Sequence, residues 1–434
     1  MAAAMPRRLP TAMRRWPACR RSVAPRARPA APAQDAPNAA PDDPGPNAPT
    51  PIRLLIFLHS FEPGGVESDA LRLAAALRHT DIDTRIVMGR GTGPLRAAAP
   101  SLAFDVLQTG RLATARFETL WMILKLPAAI RRFRPDIILC AGNTYSVVAV
   151  AMKLLFGRNC PPIVLKVSND LQRRDQPGIA RALYHLWLRA QAGSFAAIVA
   201  MAAPARREIV ETMRVADDRI VVINNASIGL ADIDRIATAR ETASRQHDGR
   251  RFVAIGRLVP QKNFALLLRA FARIATPADR LVIAGDGPAR AHLQALAEQL
   301  GIADRVSLPG HVHPVDQLLA TADGFVLSSD YEGLGVVIVE ALAAGIPIVA
   351  TDCCVNMAML LDGVGRRVPI RDVDALAAAM ARMALDDVDV AAMRARARRF
   401  SVETGVVGWQ ALFTALMAEP HPVADRWPRL AAGA

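Results

Sequence analysis

Short apolar runs alternate with longer stretches of helical spacing along most of the chain. The first run, Ile52-Arg53-Leu54-Leu55-Ile56-Phe57-Leu58-His59, reads as a buried parallel strand. It passes through Ser60-Phe61-Glu62-Pro63-Gly64-Gly65-Val66-Glu67 into a helix with Leu71, Leu73, Ala75 and Leu77 on its apolar positions. Further strands are predicted at 85–88, 136–140, 162–167 and 220–225, with helices over 118–133 and 179–195 between them. A second alternating series begins at 251–258 and continues with strands at 281–284, 305–308, 324–327 and 348–352. Such βα alternation predicts an α/β fold built from two parallel, doubly wound halves. The polar run 231–250 has no strand pattern, so the domain boundary is placed there, with 236–250 as linker.

The stretch 328–347 concentrates the candidate chemistry. Ser328-Ser329-Asp330-Tyr331-Glu332-Gly333-Leu334-Gly335 is a polar turn, and an apolar helix carrying Glu340 follows it and stops at Gly345-Ile346-Pro347. Gly333 and Gly335 let the backbone approach a ligand, and the N–H groups at a helix start favour an anion. Two carboxylates on either side of that anion site suit a ligand with a negative centre and flanking hydroxyls. A nucleotide diphosphate sugar has that form.

Ligands of open α/β sheets sit outside the carboxyl ends of the strands, so the loops there hold the other candidates. In the first half these are the Gly64-Gly65 pair and the acceptor-side groups His59, Asn143, Tyr145, Lys166, Asn169 and Asp170. In the second half Arg257 and Lys262 flank a turn, one a planar fork and one a point charge, which suits a diphosphate. Gly285-Asp286-Gly287-Pro288 is a tight turn into the next helix. His311 and His313 lack a third ligand in sequence, so no metal is expected.

Composition narrows the partners. With 53 Lys and Arg against 40 Asp and Glu the chain of 434 residues carries a formal charge of +13, which points to an anionic partner such as phosphorylated substrates or a membrane surface. Aromatic residues are only 5% and no nucleic-acid-binding signature is present, so nucleic acid is disfavoured. Five cysteines without a CxxC pair argue for a reducing cytoplasm. No apolar run is long enough to span a bilayer, so membrane contact is expected to be peripheral, with the basic, aromatic helices 118–133 and 179–195 as the segments that could lie on it. Residues 1–50, rich in Ala, Pro and Arg, read as a disordered basic arm; a transit peptide, or a start at Met5 or Met13, are alternatives.

Taken in order, Gly64-Gly65, Gly256-Arg257-Leu258 with Lys262-Asn263, Gly285-Asp286-Gly287-Pro288 and the Glu332…Glu340 element with Gly345-Ile346-Pro347 resemble the retaining glycosyltransferases of family 4. The resemblance runs from about Ile52 to the tail helix. It implies the GT-B fold, two Rossmann-like domains facing each other across a cleft. The acceptor domain would span 51–235 and the donor domain 251–400. A tail helix within 401–434 would pack back towards the first domain and be followed by a disordered end.

It also implies a UDP- or GDP-sugar donor, a glycan or lipid-linked acceptor, and no metal or other cofactor. By that resemblance Glu332, Arg257 and Lys262 are catalytic. Gly65, Glu340, Gly333, Leu334, Gly335, Val336, Gly285, Gly287 and His311 hold the donor, Glu340 on the ribose and Gly65 near the phosphate. Two departures stand out. Many members have a histidine on an N-terminal strand-end loop, where this chain has Cys140-Ala141-Gly142-Asn143 and Val167-Ser168-Asn169-Asp170. After Thr351 the family's Gly-rich turn and further Glu are replaced by Asp352-Cys353-Cys354-Val355-Asn356-Met357. A non-catalytic nucleotide-sugar-binding relative is the alternative, and the missing GxGxxG fingerprint disfavours a dinucleotide oxidoreductase.

Overall fold

The computed structural model describes residues 51–62, 64–96, 102–108, 117–173, 176–244, 248–383 and 388–418; the arm at 1–50 and the end at 419–434 lie outside them. The first half contains strands β1 (Ile52–Leu58), β2 (Ile82–Met88), β3 (Phe104–Val106), β4 (Ile137–Cys140), β5 (Ile163–Val167), β6 (Ala197–Ala200) and β7 (Ile220–Val222). Its helices are α1 (Gly65–Leu77), α2 (Glu118–Phe133), α3 (Ser146–Phe156), α4 (Gly178–Gln191) and α5 (Ala203–Met213). After α6 (Leu230–Thr242) the second half runs through β8 (Arg251–Ile255), α7 (Phe264–Ile274), β9 (Arg280–Ala284), α8 (Arg290–Gln299), β10 (Val306–Ser307), α9 (Asp316–Ala320), β11 (Gly324–Leu327) and α10 (Val336–Ala344). It ends with β12 (Ile348–Thr351), α11 (Met357–Leu361), β13 (Arg366–Val368), α12 (Val373–Ala381), α13 (Val390–Arg398) and α14 (Val402–Ala418).

The strands form two separate parallel sheets, ordered β3-β2-β1-β4-β5-β6-β7 and β10-β9-β8-β11-β12-β13. Apart from the step from β2 to β3, helices lie between successive strands, and the central strands are buried on both faces. The central strands are therefore continuous apolar runs, as in Leu54-Leu55-Ile56-Phe57-Leu58, all fully buried. In each sheet the chain leaves the centre in one direction and later returns to build the other side. The switch points lie between β1 and β4, paired at Phe57 and Cys140, and between β8 and β11, paired at Phe325 and Val253. The carboxyl ends beside these switch points are where an open α/β sheet leaves a crevice. In both halves the candidate loops follow those strands.

The structure corrects the reading of 231–250. Much of that run is helix α6, which buries Ile233, Ile236, Ala237 and Arg240 and donates from Arg240 Nη1 to the carbonyls of Ala320 and Ala322 at 2.8 and 2.7 Å. Its apolar spacing of three and four was masked by the charges between, and the helix packs on α9 and α10 as part of the second half. The predicted strands at 220–225 and 305–308 are shorter than expected, three and two residues long. Helix α14 returns to the first half: Trp409 and Phe413 are buried in its core, against α1. The halves are joined where Ile228 bridges Ser401, with Val402 N–H donating to the Ile228 carbonyl at 2.8 Å.

Candidate active site

At the end of β11 the turn 328–335 is fastened to the loop after β8. Ser328 Oγ donates to the Lys262 carbonyl at 2.9 Å, Gln261 Nε2 to the Tyr331 carbonyl at 2.9 Å, and Asn263 Nδ2 to Asp330 Oδ1 at 2.8 Å. Asn263, in the left-handed region at φ 43°, also caps α7 by accepting from Leu266 N–H. This stitching explains why Lys262-Asn263 accompanies Glu332 in the sequence. It holds Lys262 Nζ 2.5 Å from Glu332 Oε1, which also accepts from Ser329 Oγ at 2.6 Å. Glu332 is only 7% exposed, whereas Arg257 stands exposed at the mouth.

Glycines at both ends of α10, Gly335 at φ 80° and Gly345 at φ 65°, take the left-handed conformation that begins and stops the helix. Leu334 is buried in the core beneath and Val336 opens the helix. Gly285 and Gly287 serve close approach of backbone: a methyl on Gly285 would lie 1.9 Å from the Gly256 carbonyl oxygen, and one on Gly287 2.5 Å from that of Leu258. They bring the ends of β8 and β9 together and thereby set the height of the Arg257 loop. His311 is exposed beside Gly310, whose carbonyl accepts from Gly285 N–H at 2.7 Å. Gly333 meets protein: a methyl there would fall 1.9 Å from the Ser168 carbonyl oxygen of the facing half. The halves thus touch at this turn.

Glu340 is half-buried on α10, and burial pushes its carboxyl up to about 7, opposed by the nearby charges of Arg72 on α1 and Arg235 on α6. Arg72 donates from Nη1 to the Ser227 carbonyl at 2.7 Å, so it reaches across from the first half to the junction. Arg173 lies 5.9 Å from the ring centroids of both Tyr184 and Tyr331, one from each half, as a second cross-cleft contact.

Of the acceptor-side candidates, several are committed to the protein's own framework. Lys166 is buried and lies 3.4 Å from Asp69 Oδ2, which also accepts from Asn225 Nδ2 at 2.7 Å. It is therefore tied into the core of the first half. Asn143 is buried too; its Oδ1 accepts from the N–H groups of Ser168 and Asn169 at 3.2 and 3.1 Å, and its Nδ2 donates to Tyr184 Oη at 3.2 Å. It shapes the loop after β5. Asn169 is exposed on that loop, and Asp170 is half-buried against Glu208. Burial and then the Asp170 charge push Glu208 up to about 8, while the N–H groups of Leu171 and Gln172 donate to it.

Gly65 is exposed at the start of α1, with open space before it. Two residues on, Glu67 accepts the hydroxyl of Tyr145, whose own ionisation is pushed up by burial and by the Glu67 charge. Among the described residues the other Glu67 oxygen, Oε2, has no hydrogen-bond partner. His59 stacks edge-on with Tyr145 at 4.5 Å and sits 3.8 Å from Glu118, which is paired with Arg90. Burial holds its imidazole below the ordinary value. Glu67, Arg72 and Glu208 did not emerge from the sequence reading. For Glu67 the signal was available, an acid on the third position of a helix that opens on Gly-Gly.

In the second half Cys353 is buried and raised by its hydrogen bond with Cys354, by burial and by the nearby Glu332 charge. Asn356 Nδ2 donates to the Gly333 carbonyl at 2.8 Å. The residues that replace the expected Gly-rich turn thus back directly on to the Glu332 turn.

Residues 236–400 match the family model described as glycosyl transferases group 1, and residues 63–226 match that of glycosyltransferase family 4. Among curated proteins the chain is 33% identical, over 41% of its length and 50% of the relative's, to the GDP-mannose-dependent alpha-(1-6)-phosphatidylinositol monomannoside mannosyltransferase of Mycolicibacterium smegmatis. It is 35% identical, over 35% of its length and 44% of the relative's, to the lipopolysaccharide core biosynthesis glycosyltransferase LpsE of Rhizobium meliloti. The first curated relatives are matched over only 21% and 60% of their length. Among solved structures, HepE of Anabaena in complex with UDP and glucose superposes with a TM-score of 0.69 at 19% identity, covering 84% of this chain and all of that one. Sucrose-phosphate synthase from Thermosynechococcus elongatus gives 0.68 at 18% identity, covering 85% and 99%. These structures have the same two-sheet GT-B fold.

Proposed function

Because the chain belongs to the group 1, family 4 glycosyltransferases, we propose that it moves a sugar from a UDP- or GDP-sugar to a glycan or lipid-linked acceptor in cell-envelope polysaccharide or glycolipid synthesis. The reaction retains anomeric configuration and uses no metal. The observation that carries this reading is the Lys262–Glu332 pair at the mouth of α10, with Arg257 exposed beside it and the bare helix start at Gly65 on the facing half. A mannosyltransferase named as GDP-mannose-dependent and a solved structure named with UDP and glucose are among its relatives, which supports both donor classes.

Each group has a physical task. Glu340 accepts hydrogen bonds from the ribose hydroxyls and Glu332 from hydroxyls of the transferred sugar. Arg257, Lys262 and the Gly65 N–H face the diphosphate. As the bond between the anomeric carbon and the phosphate oxygen breaks, its electron pair goes to that oxygen, and cations already aimed there lower the barrier; one such group is worth about 3 kcal/mol. The acceptor oxygen attacks the anomeric carbon from the same face and its proton passes to the departing phosphate oxygen. Glu67, held by Tyr145, accepts with its free oxygen from a second hydroxyl of the acceptor, beside the attacking one, and so orients the acceptor. This supplies on the first half the polar group that the absent histidine left open. The site of action is the cytoplasmic face of the membrane.

Incubation with a panel of UDP- and GDP-sugars, followed by detection of the released nucleotide and by thermal shift, tests the reading. The expected result is turnover and a raised midpoint with one donor. Neither turnover nor binding with any donor would overturn it.

A further inference from the structure

The helices over the first sheet leave an unusual face to solvent. The steps β3 to β4, β4 to β5 and β5 to β6 all run in one direction across the sheet, so right-handed crossovers put α2, α3 and α4 on the same side. On α4 the outward residues are Ile179, Ala182, Leu183, Leu186 and Ala190, spaced as a helix face, with Ile179 81% and Leu183 63% exposed. The inward residues of this helix are Leu188 and Gln191. Its apolar stripe therefore faces out. On α2 the same holds for Phe117, Leu120 and Leu124, and α3 adds Leu154, 78% exposed. Monomeric proteins seldom expose apolar side chains in such continuous rows.

The charge on these helices is one-sided. α3 and α4 carry no acid at all, and the single acid of α2, Glu118, is occupied by Arg90 and lies beside His59. Lys125 and Arg131 lie over the rings of Trp121 and Phe156 at 5.0 and 5.3 Å, with Arg181 and Arg189 on α4. Apolar rows with basic and aromatic flanks and no acid fit an interface between acyl chains and anionic headgroups. A second protein surface would need acids of its own to match them.

We infer that the outer face of α2, α3 and α4 is a docking surface for an anionic lipid bilayer. It also fixes which acceptor the site takes. The exposed Leu120 and Leu124 of α2 and Ile179 and Leu183 of α4 lie in the first half of their helices, the end that follows the carboxyl ends of the strands, and Leu186 on α4 and Leu154 on α3 carry the face on towards the other end. Tyr184 of α4 is hydrogen-bonded to Asn143, and His185 to the Leu171 carbonyl, so the lipid-facing helix is fastened to the acceptor-side loop. A lipid-linked acceptor lying in the bilayer enters beside Asn169 and Asp170. This deepens the acceptor half of the proposed function, yet it is tested without donor or turnover, so the two fail separately.

The test is flotation of the full chain with vesicles of phosphatidylcholine alone and with phosphatidylglycerol added, at low and high salt, for the wild type and for Leu183→Glu/Leu186→Glu. Both positions are more than 60% exposed, so the variant keeps its fold, which an unchanged thermal midpoint verifies. The expected result is binding to phosphatidylglycerol vesicles only, weakened by salt, and weaker by about ten-fold or more in the variant. Three results overturn the inference. They are no binding by the wild type, equal binding by the variant, or a wild-type dimer without vesicle binding that the substitutions turn into a monomer, which would assign the face to a second copy of the chain.

Discussion

Replacing Lys262 with methionine tests the centre of the site most directly. Lys262 Nζ is 2.5 Å from Glu332 Oε1, and the two side chains are 16% and 9% exposed. At an effective dielectric constant of about 20, the gross attraction at that distance is on the order of 7 kcal/mol, much of it offset by the cost of drying both ions. Removing one partner leaves that cost uncompensated, so Lys262→Met should lose about 3–5 kcal/mol of stability. Glu332→Gln should lose less, because the lysine keeps a route to solvent. The double variant Lys262→Met/Glu332→Gln holds no unpaired charge and should recover most of the loss. Guanidinium unfolding of the four proteins measures this as a coupling energy. Activity should behave differently. If Lys262 stabilises the leaving diphosphate, turnover of the donor falls roughly 100-fold or more in Lys262→Met and stays down in the double variant. Full turnover in Lys262→Met would refute the catalytic assignment. Stabilities that simply add would refute the view of the pair as a coupled buried unit.

Three further outcomes are expected. If Glu340 holds the ribose as proposed, it accepts from the hydroxyls more strongly as a carboxylate, and with its ionisation near 7 nucleotide affinity should rise with pH through about 7 and then level, while Glu340→Gln abolishes that rise; titration calorimetry from pH 5.5 to 8 reads it. The same raised carboxyl makes the folded protein the tighter proton binder between about 4.5 and about 7, so its contribution to stability is full at low pH and lost as pH rises through that window, by about 3 kcal/mol at most. Gly333→Ala places a methyl against the Ser168 carbonyl and holds the cleft apart, which should lower kcat about 100-fold while the nucleotide-induced rise in thermal midpoint persists; unaltered kcat would show that the contact is not needed for turnover. Glu67→Gln should slow transfer to acceptor about 10–100-fold and leave hydrolysis of the donor by water unchanged, as nucleotide release with and without membrane extract will show; equal losses in both would place Glu67 on the donor instead.

The sequence made the strands and the donor-side loops legible because both depend on local pattern. A parallel strand buried on both faces must be continuously apolar, and helix α10 needs a glycine at each end, so Leu54 to Leu58 and Gly335 to Gly345 announce themselves. Lys166 shows where that logic stops. At a strand end beside Ser168-Asn169-Asp170 it looks like loop polarity, and only the fold brings Asp69 and Asn225 to it from 97 residues before and 59 after. Helix α4 shows a different limit. Its spacing reveals that one face is apolar but carries no information on which face the sheet will cover, and the core takes Leu188 while Leu183 is left outside. Glu340 was visible as an acid in a helix, yet its proximity to Arg72 and Arg235 comes from two helices far away in the chain.

The contacts that span the cleft suggest how the two halves work together. Three lie within or beside the proposed site: Gly333 against Ser168, Arg173 between Tyr184 and Tyr331, and Arg72 near Glu340. Rotation of one half against the other would break these while sparing the junction, where Ile228 and Ser401 bridge and the Glu403 carboxylate accepts from Leu230 N–H at 3.1 Å. A diphosphate arriving between Lys262 and the start of α1 would draw cations and helix N–H groups from both halves towards one charge. Donor binding would then favour a closed arrangement, with Glu67 and the acceptor loop brought towards the sugar. In such an arrangement the acceptor meets an assembled site only once the donor is in place, so donor and acceptor affinities should be coupled, each tightening in the presence of the other.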